Sequence, residues 1–454
     1  MKAFSDIPKD PWYRSWRHSL QFIQNAPGFL QQQHQAHGPI FRCRLFGREY
    51  VRAHGPDVAQ LVFRNSDELM STQEGWSPVF DGIFPGGLLM KDGAQHLHHR
   101  RIMQHAFNRD AMRSYFSEME RWSEKFVDQL PANEPIDFFP YIKDQTLDLA
   151  LKLFLGLSSK NELGRGVTKA FNDCVLGTLA LVRNPWFSVK FKRAVEGRQT
   201  LMAVFFNLVK DRRQQPRNDL VSYLCEAEDE YGNKFNDEQV VDHLIFTMMA
   251  AHDTTASSIS SLLYLVSYQP QWQAVLNQEA RQFTDLNYDD LVNLQQTENI
   301  YKETLRMFPP VVTMPRVFNR EVDLMGYEIP KSTRTGINVY GIHHDEQFWQ
   351  APEEFDPNRF ARGEDKGHSF QYLPFGGGAH KCIGMHLGMM EAKILLRALF
   401  SRFTVTRHNL DKVMEFTAVP IWRPKGPLEL VFEPVTSVTN EIHRSTAKTP
   451  VDAV

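Results

Sequence analysis

The chain has 454 residues, 42% hydrophobic and 23% charged, with a formal net charge of -3, so it is long enough to bury a core without staples and carries no global basic field for nucleic acid. Its four cysteines, Cys43, Cys174, Cys225 and Cys382, are scattered with no CxxC pair, which argues against a zinc ribbon or a disulfide framework and for a reducing compartment.

The first stretch, MKAFSDIPKDPWYRSWRHSL, is polar, contains two prolines and has no apolar signal-peptide core. It is expected to be a flexible extension over residues 1–20. No later apolar run approaches the length of a membrane span, and the chain reads as a soluble, cytoplasmic monomer without a transmembrane anchor. Residues 40–65 predict two short strands, IFRCRLFG and EYVRAHG, turning at Gly47 and followed by a helix. Residues 66–95, rich in glycine and aromatics, read as loop. From 95 to 300 the pattern is mostly helical. Residues 309–380 are irregular and proline-rich, with strand-like pieces such as VDLMGYEIP, and a helix follows Cys382. The spacing predicts one mainly α domain over 1–454 with small sheets near both ends, an α+β class, and a polar tail at 436–454 that frays.

One predicted helix stands out. Asn236 offers an N-cap with Gln239 three residues on, and Pro270 ends the run. Roughly 32 residues then span about 48 Å. The middle is apolar nearly all round, which predicts a path through the core. Yet HDTT lies at its centre. Asp253 there costs free energy unless paired or hydrated, and Thr254 can bond back to the Ala250 carbonyl. Taken alone, the pair is as well explained by a polar spot at a kink as by a reacting site.

The segment FGGGAHKCIG poses a sharper question. A lone cysteine is usually a small core residue. Here glycines allow close backbone approach, and the helix predicted over Met385 to Phe400 places Cys382 near its positive end. Both features favour a thiolate. A thiolate with one open face is a metal ligand or a nucleophile. No partner stands at zinc spacing, whereas haem iron needs only one strong protein ligand.

FGGGAHKCIG resembles the haem-binding loop of cytochromes P450, F-x-x-G-x-H/R-x-C-x-G, at Phe375, Gly378, His380, Cys382 and Gly384. ETLR, from Glu303 to Arg306, resembles that family's E-x-x-R; FDPNRF resembles its P-x-R-F element, with Arg359 as the arginine; AAHDTT, from Ala250 to Thr255, resembles its oxygen-binding stretch. The resemblance implies the cytochrome P450 fold, with a long helix over haem b and Cys382 as axial iron ligand. Glu303, Arg306 and Arg359 would then be structural support. His96, Arg100, Arg316 and His380 would meet the haem propionates, and His98, His99 and Arg101 would face an acidic electron donor. Ala251 departs from the pattern by replacing a usual glycine.

The implied activity is a monooxygenase reaction on O2, with Asp253 and Thr254 delivering protons. Electrons would come from NAD(P)H indirectly, through a ferredoxin or flavodoxin and its reductase. The family layout places Phe80, Ile83, Phe84, Leu88, Phe246, Thr247, Val311, Val312, Thr313, Met314, Val419 and Ile421 around the substrate, which implies a large apolar molecule of fatty acid, terpenoid or steroid class. The alternatives are a haem-thiolate peroxygenase or isomerase and a haem protein without turnover. The stretch LALVRNPWFSVKFKR, apolar with basic residues, is expected to be a lid over the channel rather than a membrane contact.

Overall fold

Asn236 opens the longest helix through a complete capping box: its side chain accepts from the Gln239 N–H, and the Gln239 side chain accepts from the Asn236 N–H. The helix runs Asp237–Ser267 in the computed structural model, which describes residues 1–409 and 414–435. From Thr255 to Val266 every residue is buried, because its neighbours surround it. The helices Phe138–Leu155, Val189–Gln214, Gln295–Met307 and Met385–Phe400 all pack on it. This central helix is the axis of the largest hydrophobic core, which takes in Ile259, Leu262 and Leu263.

Five strands form the main sheet, in spatial order Ile40–Leu45, Arg48–Ala53, Arg334–Asn338, Thr313–Phe318, Met70–Ser71. The first two turn at Phe46 and Gly47, both at positive φ (51° and 75°). Arg316 pairs with Thr335, which places the Arg316 side chain at the sheet's buried end. Smaller sheets lie elsewhere, one of them a hairpin of Val322–Leu324 and Tyr327–Ile329.

Two expectations are corrected. Residues 1–20 are seated on the fold rather than flexible: Ile7 is buried in the core under the main sheet, Lys2 bridges to Tyr327, and His18 is buried. Residues 66–95 are not all loop, because a helix runs Thr72–Phe80. Ser71 caps it by accepting from the Glu74 N–H at 2.9 Å, and Gly75 lets it approach the Pro315 backbone, where a Cβ would come within 2.6 Å of the carbonyl oxygen. The tail expected to fray, 436–454, lies outside the described residues.

Candidate active site

Cys382 is the one exposed cysteine; Cys43, Cys174 and Cys225 are buried. Its loop is closed by a hydrogen bond from the Cys382 N–H to the Phe375 carbonyl at 2.9 Å. The glycines have different duties from those expected. Gly384 approaches the sulfur, with a Cβ position 4.0 Å from Sγ, and its N–H donates to the thiol. Gly378 instead answers to Phe63: its φ is 62°, and a Cβ there would lie 1.7 Å from the Phe63 carbonyl oxygen. Gly377 packs on Phe370 and Phe63, and Gly376 on Met314. The loop glycines therefore press the loop onto the helix Pro56–Arg64 and the sheet. Gly378→Ala is expected to destabilise the protein by about 3 kcal/mol or more through steric and φ strain. Thermal unfolding checks this, and a variant as stable as its parent would contradict it.

The local field also differs from expectation. Amide and cation contacts from Gly384, Arg100 and Lys381 favour the thiolate, but desolvation inside the cleft, where the thiol faces open space with protein on every other side, outweighs them and holds it above its ordinary value. A metal ion bonded to the sulfur would reverse that balance.

Around the loop stand two guanidinium groups, Arg100 and Arg316, and two imidazoles, His96 and His380. His96 and His380 stack with ring centroids 3.7 Å apart. Arg100 is near Cys382, and Arg316 is buried, one of its N–H groups donating to the Pro315 carbonyl at 2.8 Å. Burial, then repulsion from Arg100 and Arg316, pulls His96 down to about 4. Burial, then repulsion from His96, Arg316 and Arg100, pulls His380 down to about 2. The carboxylate nearest to His380 in an ion pair is Asp92, at 3.7 Å, and Asp92 is engaged by Ser71 and Thr72. The buried Nε2 of His96 has no partner. Two buried guanidiniums, two imidazoles that their neighbours keep uncharged, and an unpartnered buried imidazole nitrogen beside an exposed thiol fit one dianionic metal cofactor. Haem, with one open axial position and two propionates, matches that set.

Glu303, Arg306 and Arg359 are brought together with essentially no exposure. Arg306 reaches both Glu303 oxygens, at 2.8 and 2.9 Å, and Arg359 Nε reaches Oε1 at 2.9 Å. Beyond this set lies a residue that the sequence did not single out. His343 accepts from the Leu373 N–H through Nε2 at 2.8 Å, so its Nδ1 carries the proton that it donates to the Arg306 carbonyl at 3.0 Å. Burial, then Arg306, pulls it down to about 3. A neutral imidazole thus ties the buried ion cluster to the strand of chain that enters the cysteine loop two residues later.

On the central helix, Thr254 Oγ1 donates to the Ala250 carbonyl at 2.8 Å. Ala250 is exposed, Thr247 and Phe246 are half-buried, and Met248 and Ile245 are buried, so the helix has one partly open face at mid-length. Asp253 turns elsewhere. Its Oδ1 lies 2.8 Å from Lys143 Nζ and 3.2 Å from His252 Nε2. Burial works to raise this carboxyl, yet His252 and Lys143 outweigh it and hold it well below the usual range. Ala251 lines a cavity of about 10 Å³ with His252, Thr146 and Glu391, which is room for about one water. Ala251 thus borders the same small cavity as Glu391, while Ala250 stands on the exposed side.

Glu391 is a second residue that sequence reasoning missed. Burial pushes its carboxyl up to about 8, against a contact from Thr255 Oγ1 at 3.4 Å. In the unfolded chain it ionises near 4.5, so folded-state stability is fully present below that value and falls as pH rises toward about 8. Glu391→Gln removes the loss. Its melting temperature is expected to exceed the parent's increasingly between those pH values, and a pH-independent difference would contradict this.

The expected substrate residues divide. Phe80 packs edge-on to Phe246 at 5.7 Å and to Phe84 at 6.1 Å. Val311, Met314, Val419 and Ile421 keep some exposure, and the Trp422 N–H bonded to the Pro310 carbonyl at 2.9 Å brings the late turn beside the strand after the prolines. Ile83, Phe84 and Val312, however, are sealed in core packing at 3% exposure or less, while Leu88 keeps 8%. Ile83 sits under Gly177, and the Val312 carbonyl accepts from Val339 and Tyr340. These three are core residues in this structure. His99 is likewise not on a donor-facing surface: it is buried, with Nδ1 2.8 Å from His243 Nε2. His98 and Arg101 are matched to Asp229 and Glu230.

Comparison with known proteins agrees with this arrangement. The family model described as Cytochrome P450 matches residues 8–432. The chain is 34% identical over 432 residues to cytochrome P450 136 of Mycobacterium tuberculosis, covering 92% of this chain and 86% of that protein. It is 26% identical to cytochrome P450 120 of Synechocystis, covering 92% and 94%. The solved structure titled retinoic acid bound cyanobacterial CYP120A1 is similar with a TM-score of 0.84 at 25% identity, covering 92% of this chain and 96% of that one.

Proposed function

The chain belongs to the cytochrome P450 family, and from that premise we propose that it hydroxylates a C–H bond of a large apolar molecule, using O2 and two electrons supplied by a separate ferredoxin or flavodoxin system. The observation that carries this reading is the open thiol of Cys382 among four basic side chains, with a threonine and a paired acid on the central helix. Haem, held by Cys382 and by Arg100, His96, Arg316 and His380, would supply reductive activation of O2 and transfer of one oxygen atom. The balance is RH + O2 + two electrons + two protons giving ROH and water.

The chain's own residues supply the rest. Arg100 and Arg316 would neutralise two carboxylates and His96 and His380 would hydrogen-bond to them, which fixes the cofactor's orientation. Thr254 presents a hydroxyl on the open face of the helix. Lys143 is about one-third exposed and touches Asp253, so this pair offers solvent protons a route into the helix. Phe246, Val311 and Met314 give the site an apolar wall that excludes water from the oxidised carbon. The retinoic acid named for the cyanobacterial structure is of the terpenoid class that such a wall accepts.

Asp253→Asn is expected to lower product formation by about 10²-fold while leaving the reduced-CO spectrum unchanged. Assay with a surrogate ferredoxin, its reductase and NADPH checks this, and undiminished product would remove Asp253 from the proton route. A screen of fatty acids, terpenoids and steroids for a haem spin-state shift identifies the substrate class.

A further inference from the structure

The helix Gly93–His105 carries His96 and Arg100, two of the groups placed at the cofactor. It packs mainly on the short helix Leu220–Glu226 and on the turn Leu88–Met90. His99, between His96 and Arg100 in sequence, bonds elsewhere. It is buried, and its Nδ1 lies 2.8 Å from Nε2 of His243, a fully buried ring on the central helix. Phe235 closes over the pair, with ring centroids 5.0 Å from His99 and 4.8 Å from His243. One imidazole–imidazole bond thus ties the cofactor-side helix to the central helix.

Burial fixes the protons in this bond. The other nitrogen of His243, Nδ1, is buried without a partner. A proton there would be a donor with no acceptor, so His243 Nε2 donates and His99 Nδ1 accepts. Both rings are then neutral. A further proton finds no good place: on His99 Nδ1 it sets N–H against N–H, and shifted to His243 it occupies the orphan nitrogen. Among the described residues neither ring bonds a carboxylate. Asp229 is taken by His98 at 3.2 Å, and Asp242 by Arg198 at 2.6 Å. The other titratable groups facing the pair are Lys91, His96 and His98. Burial, then repulsion from Lys91, His98 and His96, pulls His99 down to about 4. Burial, then repulsion from His99 and Lys91, holds His243 well below the ordinary imidazole range.

We propose that the His99–His243 pair is an acid-sensitive joint: neutral, it ties the helix bearing His96 and Arg100 to the central helix, and protonated, it parts and loosens their hold on the cofactor. Parted, an imidazole takes its proton near 6.5, whereas the joined His99 resists to about 4. The parted state therefore binds more protons across that interval, and the joint weakens as pH falls through it. The inference rests on the haem reading above, which the reduced-CO band of the loaded chain tests on its own.

The test is transfer of haem from the loaded full chain to excess apomyoglobin, timed from about pH 7 to about pH 5. In the parent, release is expected to quicken by up to about ten-fold for each pH unit of acidification. His243→Gln keeps a neutral partner that can donate to His99 or, once His99 is protonated, accept from it. This variant should match the parent at neutral pH and release haem at least about ten-fold more slowly than the parent at the acid end. His243→Phe leaves His99 unpaired and should release haem about ten-fold faster at neutral pH. Far-ultraviolet spectra follow the fold at each pH. Four outcomes would overturn the proposal: a glutamine variant that follows the parent's acid curve, a phenylalanine variant that holds haem as the parent does, equal release from both variants at neutral pH, or release that only accompanies global unfolding.

Discussion

Cys382→Ser is expected to leave a folded protein that has lost the strongly red-shifted reduced-CO band of thiolate ligation and essentially all product formation. Loss of an outer partner of a metal site costs about 10–100-fold, and loss of the axial sulfur should exceed that. The fold should survive, because the Cys382 side chain carries little packing: it is exposed, and its loop is held by the Cys382 N–H to Phe375 bond and by Gly378 against Phe63. Serine keeps the backbone bond and removes only the sulfur. A serine variant with the parent's spectrum would mean that another residue ligates the metal.

Glu303→Gln is expected to destabilise the protein by about 3–5 kcal/mol, the cost of leaving buried charges unpaired. Glu303 accepts from Arg306, from Arg359 and from the Asp356 N–H at 3.0 Å. With the carboxylate gone, Arg306 is buried with no acidic partner, and Arg359, at 1% exposure, keeps only Glu364 at 2.8 Å. The damage should spread to the cysteine loop, because His343 joins the Arg306 carbonyl to the Leu373 N–H. The variant should therefore convert more readily to a form without thiolate ligation as temperature rises, before global unfolding. Thermal melts followed at the haem band and in the far ultraviolet separate the two events. A variant with the parent's stability and spectrum would show the triad to be dispensable.

The residues legible in the sequence were those whose chemistry is written in local spacing. FGGGAHKCIG declared its cysteine, and Asn236 with Gln239 declared the start of the central helix, because a cap and a glycine turn depend on neighbours in the chain. The E-x-x-R pair was visible too, although its burial and its third member came only from resemblance. What could not be read were contacts made across the fold. His343 ties two segments 30 or more residues apart, Lys143 reaches Asp253 from another helix, and Glu391 is unusual only because apolar groups surround it. In each case the residue type is common and no local pattern marks it. The helix Thr72–Phe80 was missed differently. Ser71 and Glu74 spell an N-terminal cap, but Gly75 and Pro78 made the stretch read as loop, and the approach of Gly75 to Pro315 explains the glycine only in three dimensions. The glycines of the cysteine loop teach the same lesson, since Gly378 answers to Phe63, more than 300 residues away.

The most direct measurement of the central claim is the origin of the oxygen atom in the product. The haem-loaded protein is incubated with ferredoxin, its reductase, NADPH, isotopically labelled O2 and an apolar ligand chosen by its spin-state shift. The account predicts a hydroxylated product carrying one atom from O2, with formation that requires the ferredoxin and both Asp253 and Thr254. Product formed only with added peroxide, or without labelled oxygen, would contradict it.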